Sequence, residues 1–153
     1  MYEKALNHDY TERFIGDIKT PVKYATPELR QMLAAVEKNL TENFIQNEIP
    51  TAFQSDYRRR FGERKDATLE GRLLAVADKI DLLYESFGEI QKGNPEAVYT
   101  DIYRESVATL LNYRDLASVQ YFLAEVLPDL LAEDFTNQIQ LRQITHYLME
   151  EKN

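Results

Sequence analysis

The chain of 153 residues contains no cysteine. Disulfide bonds, zinc–thiolate sites and cysteine nucleophiles are therefore excluded. A protein without disulfides is consistent with a reducing compartment, and we expect a cytoplasmic protein. The first residues, Met1 to Lys4, have neither the basic start nor the apolar stretch of a secretory signal peptide, which agrees with that expectation.

Glycine and proline are scarce, with five of each, and tryptophan is absent. So few turn-forming residues argue against a β-rich protein and favour helices. Apolar runs are only a few residues long, as in Leu73 to Ala77, so we expect no membrane-spanning segment. The length and a hydrophobic fraction of 44% predict one folded domain with a core. The predicted fold class is therefore all-α.

Positive charge is in the minority, since 26 acidic residues against 18 basic residues give a net charge of −8. Such a surface repels a nucleic-acid backbone, whose binding depends on Lys and Arg neutralising phosphates, so no nucleic-acid polymer is expected as a partner. The one basic cluster in the sequence consists of Arg58, Arg59, Arg60, Arg64 and Lys65. It is either a solvated helix end or a surface that attracts phosphate or a partner.

Helix signals recur along the chain, and no segment shows a persuasive strand pattern. Thr26, Pro27 and Glu28 mark one start, with a capping hydroxyl, a proline at the first position and an acid against the helix dipole. Residues 13 to 25 are predicted as a loop. The predicted helices cover residues 2 to about 9, 26 to 46, 50 to 61, 68 to 93, 95 to 112, 115 onward until Pro128 interrupts or ends the helix, and 134 or 136 to about 150.

Two apolar patterns predict which faces are buried in the first two helical segments of the chain. In the first helix, Ala5 and Leu6 are predicted to face inward. The helix from 26 to 46 carries an apolar stripe, which consists of Leu29, Met32, Leu33, Val36, Leu40 and Phe44.

The helix from 68 to 93 is apolar on two sides, which predicts burial on both. Asp78 lies between Leu74 and Leu82, where a carboxylate is costly to desolvate without a partner. A metal ion, a buried Lys or Arg, or partial exposure would each resolve that cost. The opposite side carries an apolar stripe spaced by alternating fours and threes, which consists of Leu69, Leu73, Val76, Ile80, Leu83, Phe87 and Ile90.

A concentration of chemical groups lies near the start of the chain, where His8 and Asp9 are adjacent. Imidazole and carboxylate together suit Mn, Fe, Co, Ni or Zn rather than Ca or Mg alone. Adjacent side chains diverge by about 100° on a helix, but at a helix end the backbone can turn enough for both to converge. The alternative is a surface pair, or an Asp that caps a helix.

Further polar residues follow in the same segment. Glu12 lies one helical turn further on, where it either accepts a proton from a metal-bound water or is a solvated side chain. Asp17 either hydrogen-bonds a sugar hydroxyl or caps a turn. Thr20 and Lys23 could contact phosphate, and Pro21 would stiffen the segment that carries them.

Residues 8 to 24 resemble the signature of the HD-domain metal-dependent phosphohydrolases, in particular the YfbR-like 5′-deoxynucleotidase branch. In that branch a His-Asp pair is followed by Glu, then Gly-Asp, then Thr-Pro-Val-Lys-Tyr, at the spacing present here. The stretch Ala77-Asp78-Lys79, followed by Leu82, Glu89-Ile90 and Gly93-Asn94, is similar to the family helix that carries a distant Asp ligand. The resemblance extends to about residue 133 and implies one HD-type helical domain over residues 1–153, in which residues 134–153 form a C-terminal helix.

The resemblance implies a catalytic centre with four residues of this chain. A divalent transition metal (Mn, Co, Fe, Ni or Zn) would be held by His8, Asp9 and Asp78. Glu12 would position or activate the attacking water. The reaction would be hydrolysis of a deoxynucleoside 5′-monophosphate to a nucleoside and phosphate, so the expected partner is a small nucleotide.

The resemblance also implies a substrate-binding segment. Asp17 and Thr20, with the backbone of Ile18 and Lys19 between them, would hold the deoxyribose and phosphate side of the nucleotide. The family usually has Pro at the position of Lys19, so substrate preference could differ.

The family also uses a further His, and an Arg near the phosphate, from a helix upstream of the His-Asp pair. Only seven residues precede His8 here, so the chain is either an N-terminally truncated piece of a longer enzyme or a complete protein that has lost a ligand. The other histidine, His146, is expected to be an ordinary interfacial residue. Without upstream helices the central helix would expose apolar area, which predicts a homodimer.

Three hypotheses for the function follow. The leading one is an HD-domain phosphohydrolase of the 5′-nucleotidase type. The alternative is a degenerate or truncated HD domain that binds nucleotide or metal without catalysis. The third is a structural helical protein whose acidic surface meets a basic partner, in which Asp78 would pair with Lys or Arg.

Overall fold

The structure is a computed structural model that describes residues 2–16, 18–23, 25–62 and 65–151, with the backbone alone for His8 and Thr20. Within these ranges every regular element is a helix and none is a strand, which confirms the all-α prediction. The chain divides into two compact units, Met1–Ala75 and Val76–Asn153. That the two units make up a single domain stays a prediction.

The first unit consists of short helices around one long helix. A 3₁₀ turn that we call the Glu12 turn lies between the first two helices. The elements are α1 (Tyr2–His8), the Glu12 turn (Tyr10–Phe14), α2 (Thr20–Lys23), α3 (Pro27–Glu48), a 3₁₀ turn (Thr51–Phe53), α4 (Gln54–Gly62) and the start of α5 (Leu69–Gln91).

The loop predicted over residues 13 to 25 is wrong in part, because α2 lies inside it. The amides of Val22 and Lys23 both donate to the carbonyl of Lys19, which closes one helical turn. Pro21 fits here because a residue in the first turn needs no amide donor.

α3 begins where its sequence predicts. The Thr26 hydroxyl accepts a hydrogen bond from the Leu29 amide at 3.1 Å, and Pro27 takes the first position. The helix also ends close to the predicted residue, at Glu48.

The buried face of α3 differs from the predicted stripe. Thr41 and Ile45 are buried, whereas Met32 is 64% exposed and Val36 is also exposed. The contacts of α3 with the Glu12 turn include a hydrogen bond at Glu37 and a ring contact at Phe44, and most of the residues of α3 before Glu37 are exposed.

α1 contacts the rest of its unit through charged side chains rather than through Leu6. The Lys4 ammonium lies 2.5 Å from the Asp66 carboxylate, and Arg60 pairs with Glu3 at 2.9 Å. Leu6 is 78% exposed, so the prediction that it faces inward is wrong. At about 100° per residue, Leu6 lies on nearly the opposite side of the helix from Lys4.

The second unit consists of the remainder of α5 and four later helices, which agree with the predicted segments. A π-helical turn precedes Pro128, which has no amide to donate to the carbonyl four residues earlier, so the predicted interruption is confirmed. The later elements are α6 (Ala97–Leu110), a 3₁₀ turn (Leu111–Tyr113), α7 (Ala117–Tyr121), the π-helical turn (Phe122–Val126), α8 (Leu127–Ala132) and α9 (Gln138–Glu151).

α5 is buried on two sides, as its sequence predicts. Leu83 and Phe87 lie in the core on the main stripe, and Leu74, on the other side, is 5% exposed. The predicted cap is also present, because the Thr68 hydroxyl accepts a hydrogen bond from the Gly71 amide at 3.2 Å. None of the described helices is long and apolar enough to span a bilayer.

Candidate active site

The adjacent residues His8 and Asp9 lie at a helix end. α1 ends at His8, and Asp9 connects it to the Glu12 turn. At such an end the backbone can turn enough for the two side chains to converge. Within the part of the chain that the structure describes, the exposed Asp9 side chain makes no capping hydrogen bond to the turn, which disfavours the capping alternative. The side chain of His8 lies outside the described part.

The Glu12 turn is fixed from both ends by its own backbone and by its middle residue. The Glu12 amide donates to the Asp9 carbonyl at 3.0 Å, and the Ile15 amide donates to the Glu12 carbonyl at 3.1 Å. The hydroxyl of Thr11, which is 1% exposed, donates to the carboxylate of Glu37 on α3. The backbone that carries Glu12 therefore has little freedom.

Aromatic rings attach the same turn to α3 and α4. Tyr10 stacks on Phe61 with ring centroids 5.3 Å apart and 7° between the planes. Phe14 packs against Phe44 at 5.2 Å. The Arg13 guanidinium covers the Tyr10 ring at 5.0 Å, which shields the cluster from water. Rings on both sides of Glu12 thus anchor its segment in the first unit.

Glu12 itself is half-buried and forms an ion pair. The Lys23 ammonium lies 3.0 Å from Glu12 Oε1 and donates a hydrogen bond to it. This contact joins the two halves of the motif segment, since the two residues are 11 positions apart. Glu12 is therefore not a fully solvated side chain.

The predicted substrate-binding residues fall partly outside the described part of the chain. Gly16 has φ +78°, a left-handed conformation that glycine adopts without strain, and it turns the chain after Ile15. Ile18 is half-buried and Lys19 is exposed. Asp17 and the side chain of Thr20 lie outside the described residues.

Asp78 belongs to the second unit and is half-buried on α5. The next residue, Lys79, pairs with Glu105 of α6 at 3.3 Å, which anchors this part of α5 within its unit. That Asp78 joins His8 and Asp9 in one ligand set stays a prediction. Among the side chains that the structure describes, no group of three or more His, Asp or Glu residues forms a metal-binding cluster, and the His8 side chain is not among them.

The basic cluster is paired with carboxylates where the structure describes it. Arg58 binds Glu42 through two nitrogens, at 2.6 and 3.1 Å, and this hydrogen bonding lowers the pKa of Glu42. Arg59 lies 3.8 Å from Asp56, and Arg60 pairs with Glu3. This pairing favours a helix end with local ion pairs over a phosphate-binding surface.

Sequence reasoning missed the supports of the Glu12 turn. Glu37 lies 26 positions from Thr11 and has no local pattern that connects the two. For Lys23 the sequence suggests a phosphate contact or a structural role, and neither identifies Glu12 as its partner.

The profile of a family described as 5′-deoxynucleotidase YfbR-like matches residues 1–130. A 5′-deoxynucleotidase of Yersinia pseudotuberculosis serotype I is 27% identical over 124 residues, which are 81% of this chain and 61% of the relative. A 5′-deoxynucleotidase of Yersinia pestis (strain Pestoides F) gives the same identity and coverage. The chain thus spans 61% of the length of these curated relatives.

A solved structure is also similar. The crystal structure of an HD-domain phosphohydrolase from Listeria innocua is 61% identical in sequence and superposes with a TM-score of 0.80. The match covers 98% of this chain and 71% of the Listeria chain. The helical arrangement is therefore shared with a protein described as an HD-domain phosphohydrolase.

Proposed function

We propose a function from one premise: the chain belongs to the YfbR-like 5′-deoxynucleotidase family, whose profile covers residues 1–130. The proposed activity is metal-dependent hydrolysis of deoxynucleoside 5′-monophosphates to nucleoside and phosphate. The observation that carries the proposal is this match, because it includes the motif segment at residues 8–24 as well as Asp78. The curated relatives are longer than the part that this chain matches. The activity of the whole protein is therefore also a proposal.

In the proposed centre, His8, Asp9 and Asp78 hold a divalent transition metal, drawn from Mn, Co, Fe, Ni and Zn. The donor set fits this group, since one imidazole with two carboxylates is a mixed nitrogen and oxygen set that such metals accept. When bound, the metal would raise the acidity of a water and neutralise charge on the phosphoryl group. The end of α1 at His8 supports the convergence of the first two ligands.

Glu12 is the proposed general base. It takes a proton from the attacking water while the water oxygen forms a bond to phosphorus and the ester bond to the 5′ oxygen breaks. The same proton can then neutralise the leaving 5′ oxygen, so that the charges balance. Support comes from the position of Glu12 on a turn fixed by Thr11 and by the aromatic rings, because a base that abstracts a proton has to be held within hydrogen-bond reach.

The nucleotide is proposed to lie along residues 17–20. Asp17 and Thr20, with the backbone of Ile18 and Lys19, contact its deoxyribose and phosphate side. The exposed position of Lys19 supports this placement, since a cation here offsets the repulsion that a chain of net charge −8 exerts on a phosphate.

A homodimer is the proposed assembly. Tyr2 and Leu6 lie on one side of α1 and are 87% and 78% exposed, and covering them would remove apolar area from water. Light scattering should give twice the mass of one chain, and Leu6→Ser should shift the mass toward one chain. A wild-type mass equal to that of one chain would contradict the dimer.

The cytoplasmic location also stays a proposal, supported by the cysteine-free composition.

The activity is tested by phosphate release from deoxynucleoside 5′-monophosphates with added Mn or Co. Wild type should release phosphate, whereas Asp78→Ala should lose activity and bound metal by elemental analysis. Asp81→Ala is the matched control, because Asp81 is an exposed acid on the same helix. Calorimetry with the same nucleotides identifies the alternative, a domain that binds without hydrolysis. If a longer form that includes the upstream segment of the relatives is also inert, the enzymatic proposal fails.

A further inference from the structure

The ion pair between Lys23 and Glu12 connects two elements that are each fixed independently. Glu12 lies on the turn that the Thr11–Glu37 hydrogen bond attaches to α3. Lys23 ends α2, whose turn is closed by hydrogen bonds to the Lys19 carbonyl and which also contacts α3. The 3.0 Å contact is therefore made between two placed backbones rather than between two free chain ends.

The contact also distinguishes the two oxygens of the carboxylate. Lys23 Nζ donates to Glu12 Oε1. A charge-assisted hydrogen bond of this kind restricts rotation of the carboxylate about its last side-chain torsion. The second oxygen, Oε2, is then the one that can accept the proton from the attacking water.

We propose that Lys23 is a positioning residue that orients Glu12 for proton abstraction, and not a phosphate ligand. This inference rests on the proposed function, in which Glu12 is the base. The lysine of the Thr-Pro-Val-Lys stretch is thereby the partner of the proposed base, Glu12. Lys23 acts on the rate through Glu12 and has no contact with the reacting atoms.

The ion pair is expected to contribute little to the stability of the fold. The two side chains remain 29% and 41% exposed, and ion pairs at such exposure contribute little to folding stability. Lys23→Met should therefore fold normally, and a loss of rate in this variant would report on orientation.

The kinetic test compares Lys23→Met and Lys23→Arg in the full chain with a deoxynucleoside 5′-monophosphate and Mn. Lys23→Met should lower kcat by about tenfold and change KM by less than about twofold, since orientation matters in the transition state more than in binding. Lys23→Arg should restore most of kcat. Lys38→Met is the matched control, because Lys38 is an exposed lysine of the same unit that forms no ion pair within the described residues.

A second comparison separates orientation from phosphate binding. In a Glu12→Gln background, Lys23→Met should cause no further loss of kcat, because the base is already absent. A rise in KM at unchanged kcat would identify Lys23 as a phosphate contact and would overturn the inference. An equal loss of kcat with and without Glu12 would overturn it as well.

A double-mutant cycle measured by thermal unfolding gives a readout that needs neither metal nor turnover. Unfolding midpoints of Glu12→Gln, Lys23→Met and the double variant should show a small non-additivity, as double-mutant cycles of part-exposed ion pairs do, whereas a cycle of Glu12→Gln with Lys38→Met should be additive. If the midpoints are coupled but the chain hydrolyses no nucleotide, the proposed function is contradicted. The interaction between Lys23 and Glu12 then still stands. Additive midpoints in an active enzyme would overturn the inference and leave the function intact.

Discussion

The Thr11 hydroxyl donates a hydrogen bond to the carboxylate of Glu37, so that α3 holds the middle of the turn that carries Glu12. Thr11 is 1% exposed, which makes this bond part of the interior of the first unit. The Glu37 backbone carbonyl accepts a second bond, from the Thr41 hydroxyl at 2.8 Å. Glu37 thus accepts hydrogen bonds from two threonines, at its carboxylate from Thr11 and at its backbone carbonyl from Thr41.

The first prediction concerns Thr11. Thr11→Val replaces the hydroxyl by a methyl group of similar size and leaves the Glu37 carboxylate without this donor. We expect the free energy of unfolding to fall by about 1.5–3 kcal/mol, the usual loss for a buried hydrogen bond to a charged group. Urea denaturation at neutral pH measures the change.

Thr41→Val is the control for this prediction. Its hydroxyl binds a helical carbonyl four residues earlier, which also accepts the ordinary backbone bond of the helix. We expect a loss below about 1 kcal/mol, as is usual for a neutral hydrogen bond. If Thr41→Val lowers the free energy of unfolding as much as Thr11→Val does, the charged acceptor does not strengthen the Thr11 hydrogen bond.

The second prediction concerns Gly71, in the first turn of α5. A Cβ atom added there would lie 2.1 Å from Asp66 Oδ1 and 2.6 and 2.7 Å from the Asp66 backbone nitrogen and oxygen. Because the backbone cannot swing aside as a side chain can, Gly71→Ala should destabilise the protein by about 1–3 kcal/mol, as overpacking does. The thermal unfolding midpoint measures this loss.

Gly88 provides the matched control on the same helix. No atom lies within 4 Å of a Cβ added at this position. Gly88→Ala should therefore stabilise the protein by about 0.5–1 kcal/mol through the higher helix propensity of alanine. Changes of the same sign in the two variants would contradict the close approach of Asp66 to Gly71.

Local signals in the sequence predict the helices well, because their causes are local. Thr26 and Thr68 cap helices through their own hydroxyls, and both starts agree with the structure. Pro128 interrupts its helix because it lacks an amide, whatever surrounds it. The short helix α2 is missed because one turn has too few residues to show a periodicity.

The burial of a helix face depends on its neighbours, and periodicity alone is a poorer guide to it. Met32 fits the apolar stripe of α3 but is exposed, and the contacts of α3 with the Glu12 turn and α4 lie further along the helix, at Glu37, Glu42 and Phe44. For the candidate site, the motif identifies Glu12 as a chemical group. Its contact with Lys23 depends on how the chain folds back over 11 residues, which spacing does not reveal.

The third prediction concerns Asp66, which links α1 to the start of α5. A hydrogen bond from Lys4, with another from Thr68, lowers the pKa of Asp66 from 3.8 to about 2. Because the folded pKa lies below the unfolded one, this stabilisation is present above pH 3.8 and is lost as the pH falls through about 2. Asp66→Asn should therefore lower the unfolding midpoint at pH 7 and differ less from wild type toward pH 2.

Lys4→Met tests the cause of this dependence. Removing the strongest partner of Asp66 should reduce the midpoint at pH 7 and flatten its decline between pH 4 and pH 2, relative to wild type. Calorimetric scans at three pH values in this range measure both effects. A wild-type-like acid profile in Lys4→Met would show that Lys4 does not control the ionisation of Asp66.

The fourth prediction concerns Tyr103, in the core of the second unit. Tyr103 is fully buried, its hydroxyl lies 2.7 Å from that of Thr145, and burial raises its pKa from 10.0 to about 12. The neutral phenol is thus favoured in the folded state. Its contribution to stability is complete below pH 10 and is lost as the pH rises through about 12.

Tyr103→Phe should therefore have opposite effects at neutral and alkaline pH. At neutral pH it removes the hydrogen bond to Thr145 and should cost about 1 kcal/mol. At pH 11, wild type should have lost about 1.4 kcal/mol that the variant does not lose, so the two stabilities should converge or cross. Urea denaturation at both pH values gives the comparison. A constant difference between Tyr103→Phe and wild type at the two pH values would refute the buried titration.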